Sequence, residues 1–374
     1  VKKLTASAIL VLVASAACAC WSPISVRPTL KIGLVAPFEG LYRPLGYEAL
    51  HSVQLAIEER NELGGVEGYL VELVALNDDQ DPEWAPQRAR EMTIDPEVMG
   101  VIGHLSEETT LAGIQVYQDA GLPLIVPFAG AHSSGGSAHR QVFWLVADDA
   151  ALGAVAARYA VLQRGALSLA VAGGGETLVE TFATTSRALR AEVRVYHSQV
   201  GLDLVRELAG SDADLLFLAE DGPLAAETLV GLRQVGVDIP VLGSVGLDTP
   251  QLAQIAGEAA SGTVYLSYAP PVGETAFAAL YRARWEVDPG PRAALAYDAS
   301  GVLLDALARC IRLYGAPSRE GVAEALANTR DYSGLTGSIT FDRNGQAMDR
   351  DVFLYELVAP QYPGEPVDCP VCFP

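Results

Sequence analysis

Lysine is almost missing from this chain. Only Lys2, Lys3 and Lys31 accompany its arginines, and the 25 basic residues face 46 acidic ones, for a formal net charge of −21. That balance lacks the basic patch a phosphate backbone demands, so nucleic acid is not an expected partner. A broad contact with anionic lipid is equally disfavoured, and the acid is expected to keep an exported protein soluble. Phosphate-gripping chemistry is missing too. A P-loop needs Gly followed by Lys and Ser or Thr, and none of the three lysines is so placed. Gly173-Gly174-Gly175 approaches a dinucleotide fingerprint, but Leu178 stands where the third glycine belongs. Neither a G-x-S-x-G elbow nor H-E-x-x-H occurs. No nucleophile–base pair and no metal set emerge, so neither an enzyme nor a cofactor is expected.

Long apolar runs are also scarce. After the N-terminus no stretch of 18 apolar residues follows, so the mature chain is expected to be soluble or merely tethered. The N-terminus itself runs from Lys2 and Lys3 through an apolar segment, 8–17, to Cys18, the order of a secretory signal peptide. Ser15, Ala16 and Ala17 ahead of Cys18 suit a bacterial lipoprotein site with Cys18 as the lipidated first residue. Cys20 is a poorer candidate, and cleavage without lipid is the alternative. Cysteine is otherwise limited to Cys310, in an apolar helical pattern that reads as core packing, and to Cys369 and Cys372. These last two form C-P-V-C at the C-terminus. No helix follows them, as a redox pair would require, and two further zinc ligands are lacking. A local disulfide or two exposed thiols is expected.

What the chain does contain is alternation. Residues 31–36 read as a buried strand, 46–63 as a helix stopped by Gly64-Gly65, and 70–76 as the next strand. Asp81-Pro82 is expected to open a helix with Asp81 as its cap. Strands at 99–103 and 124–127 flank a helix at 108–119. The pattern restarts with strands at 167–172, 193–197, 214–218 and 240–243. A helix at 176–190 is expected to carry a capping box in Thr177 and Glu180. Repeated β-α-β of this kind predicts an α/β fold with parallel sheets and helices on both faces. The two halves meet around 142–149, which reads as a compact hinge. Helices at 275–285, 292–314 and 319–328 and strands at 338–341 and 352–357 complete the chain, and the Pro-rich tail beyond Pro360 is expected to be irregular.

Ligands in open α/β sheets bind beyond the carboxyl ends of the strands. The loops there are Pro37-Phe38-Glu39-Gly40-Leu41-Tyr42, His104 to Thr110, and Pro127-Phe128-Ala129-Gly130. In the second half they are 173–177, 219–222 and 243–248. Helix N-termini in these loops favour an anionic group. Glu39, Glu107, Glu176, Glu220 and Asp221 favour a cationic one, unless they serve only as helix caps. His132 and His139, beside Ser133, Ser134 and Ser137, read as a solvated loop. Asp78, Asp79 and Asp81 lack the Gly and distal Glu of a calcium loop.

Several segments, taken in order, resemble the type I periplasmic binding proteins of the branched-chain amino acid class, which serve ABC importers. They are K-I-G-L-V-A-P-F-E-G-L-Y at the start, G-G-V-E-G, N-D-D-Q-D-P at 77–82, V-I-G-H-L at 101–105 and Gly121-Leu122-Pro123. Q-V-G-V at 234–237, Y-D-A at 297–299 and F-D-R-N-G at 341–345 follow. The resemblance covers 31 to about 358. It implies two lobes, each a doubly wound, mostly parallel sheet, joined by three crossovers near 145–149, 268–273 and 332–337. The lobes would comprise 31–147 plus 272–334 and 148–271 plus 335–358, after a signal peptide at 1–17 and an anchor and spacer at 18–30. Residues 359–374 would form a Pro/Cys tail. The resemblance further implies a binding protein in the periplasm or on the outer face of the cytoplasmic membrane. It would hand a small-molecule solute to a permease driven by an ATPase, and a lipid anchor would hold it at the membrane. A ligand sensor of the same fold, signalling to a partner protein, is the alternative.

The specificity residues of that class do not carry over. Glu107 stands for the carboxylate-binding Ser, with Ser106 and Thr109 beside it, and Gly130 for a Thr. Thr177 stands for an aromatic and Val245 for the acid that pairs with the ammonium, so Glu220, Asp221 or Asp248 would have to substitute. Gln80 and Ser106 replace a disulfide found in some members. The candidate site is therefore Phe38, Glu39, Ser106, Glu107, Thr109, Phe128, Ala129, Gly130, Glu176, Thr177, Glu220, Asp221, Val245 and Asp248. The expected ligand is a small polar or amide-bearing solute, cationic ones included, rather than a leucine-like one.

Overall fold

A computed structural model describes residues 27–130, 141–196 and 202–373. The leader with Cys18 and Cys20, the 131–140 loop with His132 and His139, and His197 lie outside the described residues. Two sheets organise the rest. The first holds β1 (Thr29–Ala36), β2 (Leu70–Asn77), β3 (Val98–Ile102), β4 (Leu124–Val126) and β5 (Val142–Trp144), in the order β2-β1-β3-β4-β5. Every pairing in it is parallel. Strands covered on both faces must be apolar at successive positions, not alternate ones, and β1 is buried at every position from Ile32 to Ala36. Helices Arg43–Glu62, Ala85–Ile94, Glu107–Asp119 and Pro291–Tyr314 cover this sheet.

The second sheet holds β6 (Ser168–Gly173), β7 (Glu192–Tyr196), β8 (Leu215–Ala219), β9 (Val241–Gly243), β10 (Val264–Ser267), β13 (Phe353–Glu356) and β14 (Glu365–Pro366). Its order is β14-β13-β10-β9-β8-β6-β7, with five parallel strands and an antiparallel pair at one edge. A small hairpin, β11 (Tyr332–Gly334) with β12 (Gly337–Ile339), packs on the long helix Pro291–Tyr314, where Asp298 accepts the amides of Leu335 and Thr336. No described helix is long and apolar enough to cross a membrane.

Several expectations change. Val142–Trp144 is a strand and not part of the joining segment, because its apolar run completes the first sheet beside β4. Residues 335–347, expected in the second lobe, stay with the first sheet. Trp144 exchanges backbone hydrogen bonds with Gly345 and Ala347, and the Phe341 ring lies 5.2 Å from that of Phe143. The third passage between the sheets therefore falls between Ala347 and β13. Asp81 caps no helix. Its carboxylate accepts the Glu83 amide within a turn, and the helix begins at Ala85. Thr177 and Glu180 form no capping box, since the helix Glu176–Ala188 starts from Gly175 without a side-chain cap. The tail is ordered into β14, and Cys369 and Cys372 are joined in a buried disulfide. Cys310 is buried, as its helical pattern required.

Candidate ligand-binding cleft

The carboxyl ends of the two sheets face one another across a cavity of about 510 Å³. Helices follow parallel strands, so their N-termini collect at the same edges. The caps Ser106, Gly175, Asp221 and Thr249 all belong to the cavity wall. Ser106 Oγ accepts the Thr109 amide and Asp221 Oδ1 the Leu224 amide, which satisfies one orphan N–H in each first turn.

The wall is strongly acidic. Glu48, Glu107, Glu108, Asp149, Glu220, Asp221 and Asp248 line it, and Arg292 is the only basic residue among the lining residues described. Arg292 projects from the first turn of the helix Pro291–Tyr314 toward the second sheet. Its Nε lies 3.6 Å from Asp248 Oδ2, its Nη2 donates to Val245 O at 3.2 Å, and its guanidinium sits 5.8 Å from the Phe128 ring centre. Burial opposes this cation, but Asp248, Tyr362 and Glu48 outweigh it and hold its pKa above the usual arginine value. Asp248 is nearly sealed at 2% exposure. Its Oδ2 accepts Ser267 Oγ at 2.8 Å and its Oδ1 accepts the Tyr362 hydroxyl at 3.0 Å.

Glu48 comes from the helix Arg43–Glu62, and its Oε1 accepts the Ala293 amide at 2.7 Å. Burial pushes its carboxyl up to about 7, with Asp248 adding to the effect and Arg292 and the Ala293 N–H opposing it. Burial and the neighbouring Asp221 likewise raise Glu220. Burial, then Asp221 and Glu108, raise Tyr42. The two sides are tied at the rim, where Gln251 Nε2 donates to Leu41 O at 2.6 Å.

The periplasmic binding protein family matches residues 29–361, most of the chain. The chain belongs to that family. Similar relatives include the leucine-, isoleucine-, valine-, threonine- and alanine-binding protein of Pseudomonas aeruginosa. It is 27% identical over 341 residues, covering 88% of this chain and 90% of the relative. The Leu/Ile/Val-binding protein of Escherichia coli is 23% identical, over 65% of this chain and 68% of its own. Among solved structures, a leucine-binding protein of Thermotoga maritima is 26% identical with a TM-score of 0.78, covering 89% of this chain and 97% of that one. An isoleucine complex of a branched-chain amino acid transporter substrate-binding protein from Streptococcus pneumoniae shares the fold. Its TM-score is 0.79 at 23% identity, over 91% of this chain and 99% of that one. As a periplasmic binding protein the chain has the two-lobed type I fold, belongs outside the cytoplasm and is not an enzyme.

Of the residues expected at the periplasmic binding protein's cleft, Ser106, Glu107, Phe128, Ala129, Gly130, Glu220, Asp221, Val245 and Asp248 line the cavity. Five others are off its wall. Phe38 packs edge-on to Tyr47 and donates its amide to Asn77. Glu39 is exposed in the turn before the first helix. Thr109 is buried, and its hydroxyl is turned to Ser106. Glu176 is exposed and Thr177 half-buried in a first turn that offers the cavity its preceding glycines, Gly174 and Gly175.

Gly130 replaces an expected hydroxyl for a steric reason. A Cβ there would lie 2.4 Å from Ala147 O, where no side chain fits. Asp248 does not stand ready as a lone partner for an ammonium group, because Ser267, Tyr362 and Arg292 already engage it. Sequence reasoning missed Glu48, Tyr268, Gln251, Arg292 and Tyr362. Only Arg292 had a local signal. Gly290-Pro291 marks a helix start, which places Arg292 in a first turn.

Proposed function

We propose that this periplasmic binding protein captures a small polar solute, an amino acid, amide or related compound, between its lobes and delivers it to the permease of an ABC importer. The observation that carries this reading is the cavity of about 510 Å³ walled by both sheet edges, inside the roughly 300–1,000 Å³ range of small-molecule sites. Its chemistry narrows the class. Seven lining carboxylates favour a solute with an ammonium or several N–H donors, and Arg292 supplies a counterpart for a carboxylate. A purely aliphatic side chain has less to recommend it here, although the relatives named above bind such amino acids. In this proposal the lobes comprise 31–147 with 272 onward to about 347, and 148–271 with the chain from β13. Cys18 would carry the lipid that tethers them.

Isothermal titration with the proteinogenic amino acids, simple amides and polyamines tests the ligand class. Binding of polar or cationic members is expected. Tight leucine binding with no response to the others would refute the polar assignment. Deletion of the gene with unchanged uptake of the bound solute would refute the importer role. Cys18→Ala is expected to release the protein from the membrane fraction.

A further inference from the structure

The chain does not end where the family match does. The match stops at residue 361, and the segment after it is built into the second sheet. In β14, Pro366 pairs with Tyr355 and Glu365 with Glu356, and the Val367 amide then donates to Leu354 O at 2.8 Å. The Cys369–Cys372 bridge is buried in the apolar core, and Arg158 Nη1 donates to Cys372 O at 3.2 Å. The Gly364 amide donates to the Tyr265 hydroxyl at 3.2 Å. A Cβ on Gly364 would lie 2.3 Å from Glu356 O, so the backbone presses onto β13 where only glycine fits. Ahead of these fastenings Tyr362 turns inward. Its ring lines the cavity, and its hydroxyl donates to Asp248 Oδ1.

We propose that Tyr362 is a positioning residue of the solute site and that the C-terminal tail serves to present it. By holding Asp248 Oδ1 it fixes the carboxylate that orients Arg292 across the cleft. The inference rests on the solute-binding reading above. Its physical basis is the satisfaction of a buried carboxylate. Asp248 has two oxygens, one committed to Ser267 and facing Arg292, the other held by Tyr362. Without the phenol, one oxygen loses its donor in a nearly sealed position, and the carboxylate must turn to find another. Any such turn moves the partner of Arg292. Burial and Asp248 keep the Tyr362 phenol well above its ordinary pKa, so it stays a donor through the neutral range.

The test compares the full chain with Tyr362→Phe and with a Cys369→Ser/Cys372→Ser double variant. In hydrogen–deuterium exchange without ligand, Tyr362→Phe is expected to speed exchange of the 245–249 amides while the melting temperature falls by no more than a few degrees. The double variant is expected to speed exchange at 362–367 and 245–249 together. In titrations with the amino acid and amide panel, Tyr362→Phe is expected to weaken every responding probe about tenfold, as loss of one hydrogen bond to a charged group implies. Wild-type exchange at 245–249 in both variants, or affinities changed by less than about twofold, would overturn the proposal. If the wild type binds no probe, the solute reading fails on its own, and the exchange data still decide the role of Tyr362.

Discussion

Two sets of the same three chemical types, a carboxylate, a base and a phenol, occupy contrasting places in this protein. Asp78, His104 and Tyr117 are all sealed within the first lobe at 1% exposure or less. His104 Nδ1 lies 2.6 Å from Asp78 Oδ2 and Nε2 lies 3.1 Å from the Tyr117 hydroxyl. None of the three lines the cavity, although Leu105 and Ser106, directly after His104, do. Asp248, Arg292 and Tyr362 instead join the second sheet, the first-lobe helix Pro291–Tyr314 and the tail, and all three line the cavity. The sealed set fixes the shape of one wall. The second set, although Asp248 itself is nearly sealed, places its charge on the cavity wall. Buried polar groups are costly when left unpaired, so the first set should govern stability and the second should govern binding.

The sharpest way to break that contrast is His104→Ala. It leaves Asp78 Oδ2 and the Tyr117 hydroxyl without their partner in the core, although Asp78 Oδ1 keeps the Gln80 amide, and a loss of about 3 kcal/mol is expected in denaturant unfolding. Solute affinity of the folded fraction should stay within a few-fold of wild type. Collapse of affinity at unchanged stability would reverse the assignment. Arg292→Met should do the opposite. Asp248 keeps Ser267 and Tyr362 as donors, so the cost in stability should stay at or below the roughly 3–5 kcal/mol of a broken buried ion pair, while affinity for a carboxylate-bearing solute falls at least about tenfold.

A pH titration sharpens the role of the cleft. Burial raises Glu48 from 4.5 to about 7. Between those values the folded protein holds a proton that the unfolded chain has released, so this residue's contribution to stability falls as pH rises through that window. Glu48→Gln cannot ionise. It should match wild type near the lower end and exceed it by roughly 3 kcal/mol near pH 8, measured by chemical unfolding. The smallest effect is expected from Asp221→Ala, which removes a single N-cap from the helix Gly222–Gln234 and should cost about 1 kcal/mol.

The fold was legible because its signals are local. The continuous apolar run of β1, the Gly64-Gly65 stop and the loops after strands are all readable from neighbouring residues, and so were Ser106, Phe128 and Asp221 on the cavity wall. Asp248 was legible too, but its partners and Glu48 were not. Glu48 lies within a helix pattern that gives no hint of its link to Ala293, 245 positions away. Tyr362 lies in a Pro-rich segment whose order comes from pairing with β13 and from a disulfide, both tertiary events. Val142–Trp144 is too short to read as a strand until β4 supplies its partner. Residues that meet only through folding leave little trace in local composition.

The most direct test of solute capture between the lobes is hydrogen–deuterium exchange of the wild-type protein. It would be run with and without a saturating amount of whichever amino acid or amide gives the largest thermal shift. Capture in the cleft predicts simultaneous slowing at 105–110 on one wall and 244–249 on the other. Slowing confined to one wall, or at neither, would contradict it.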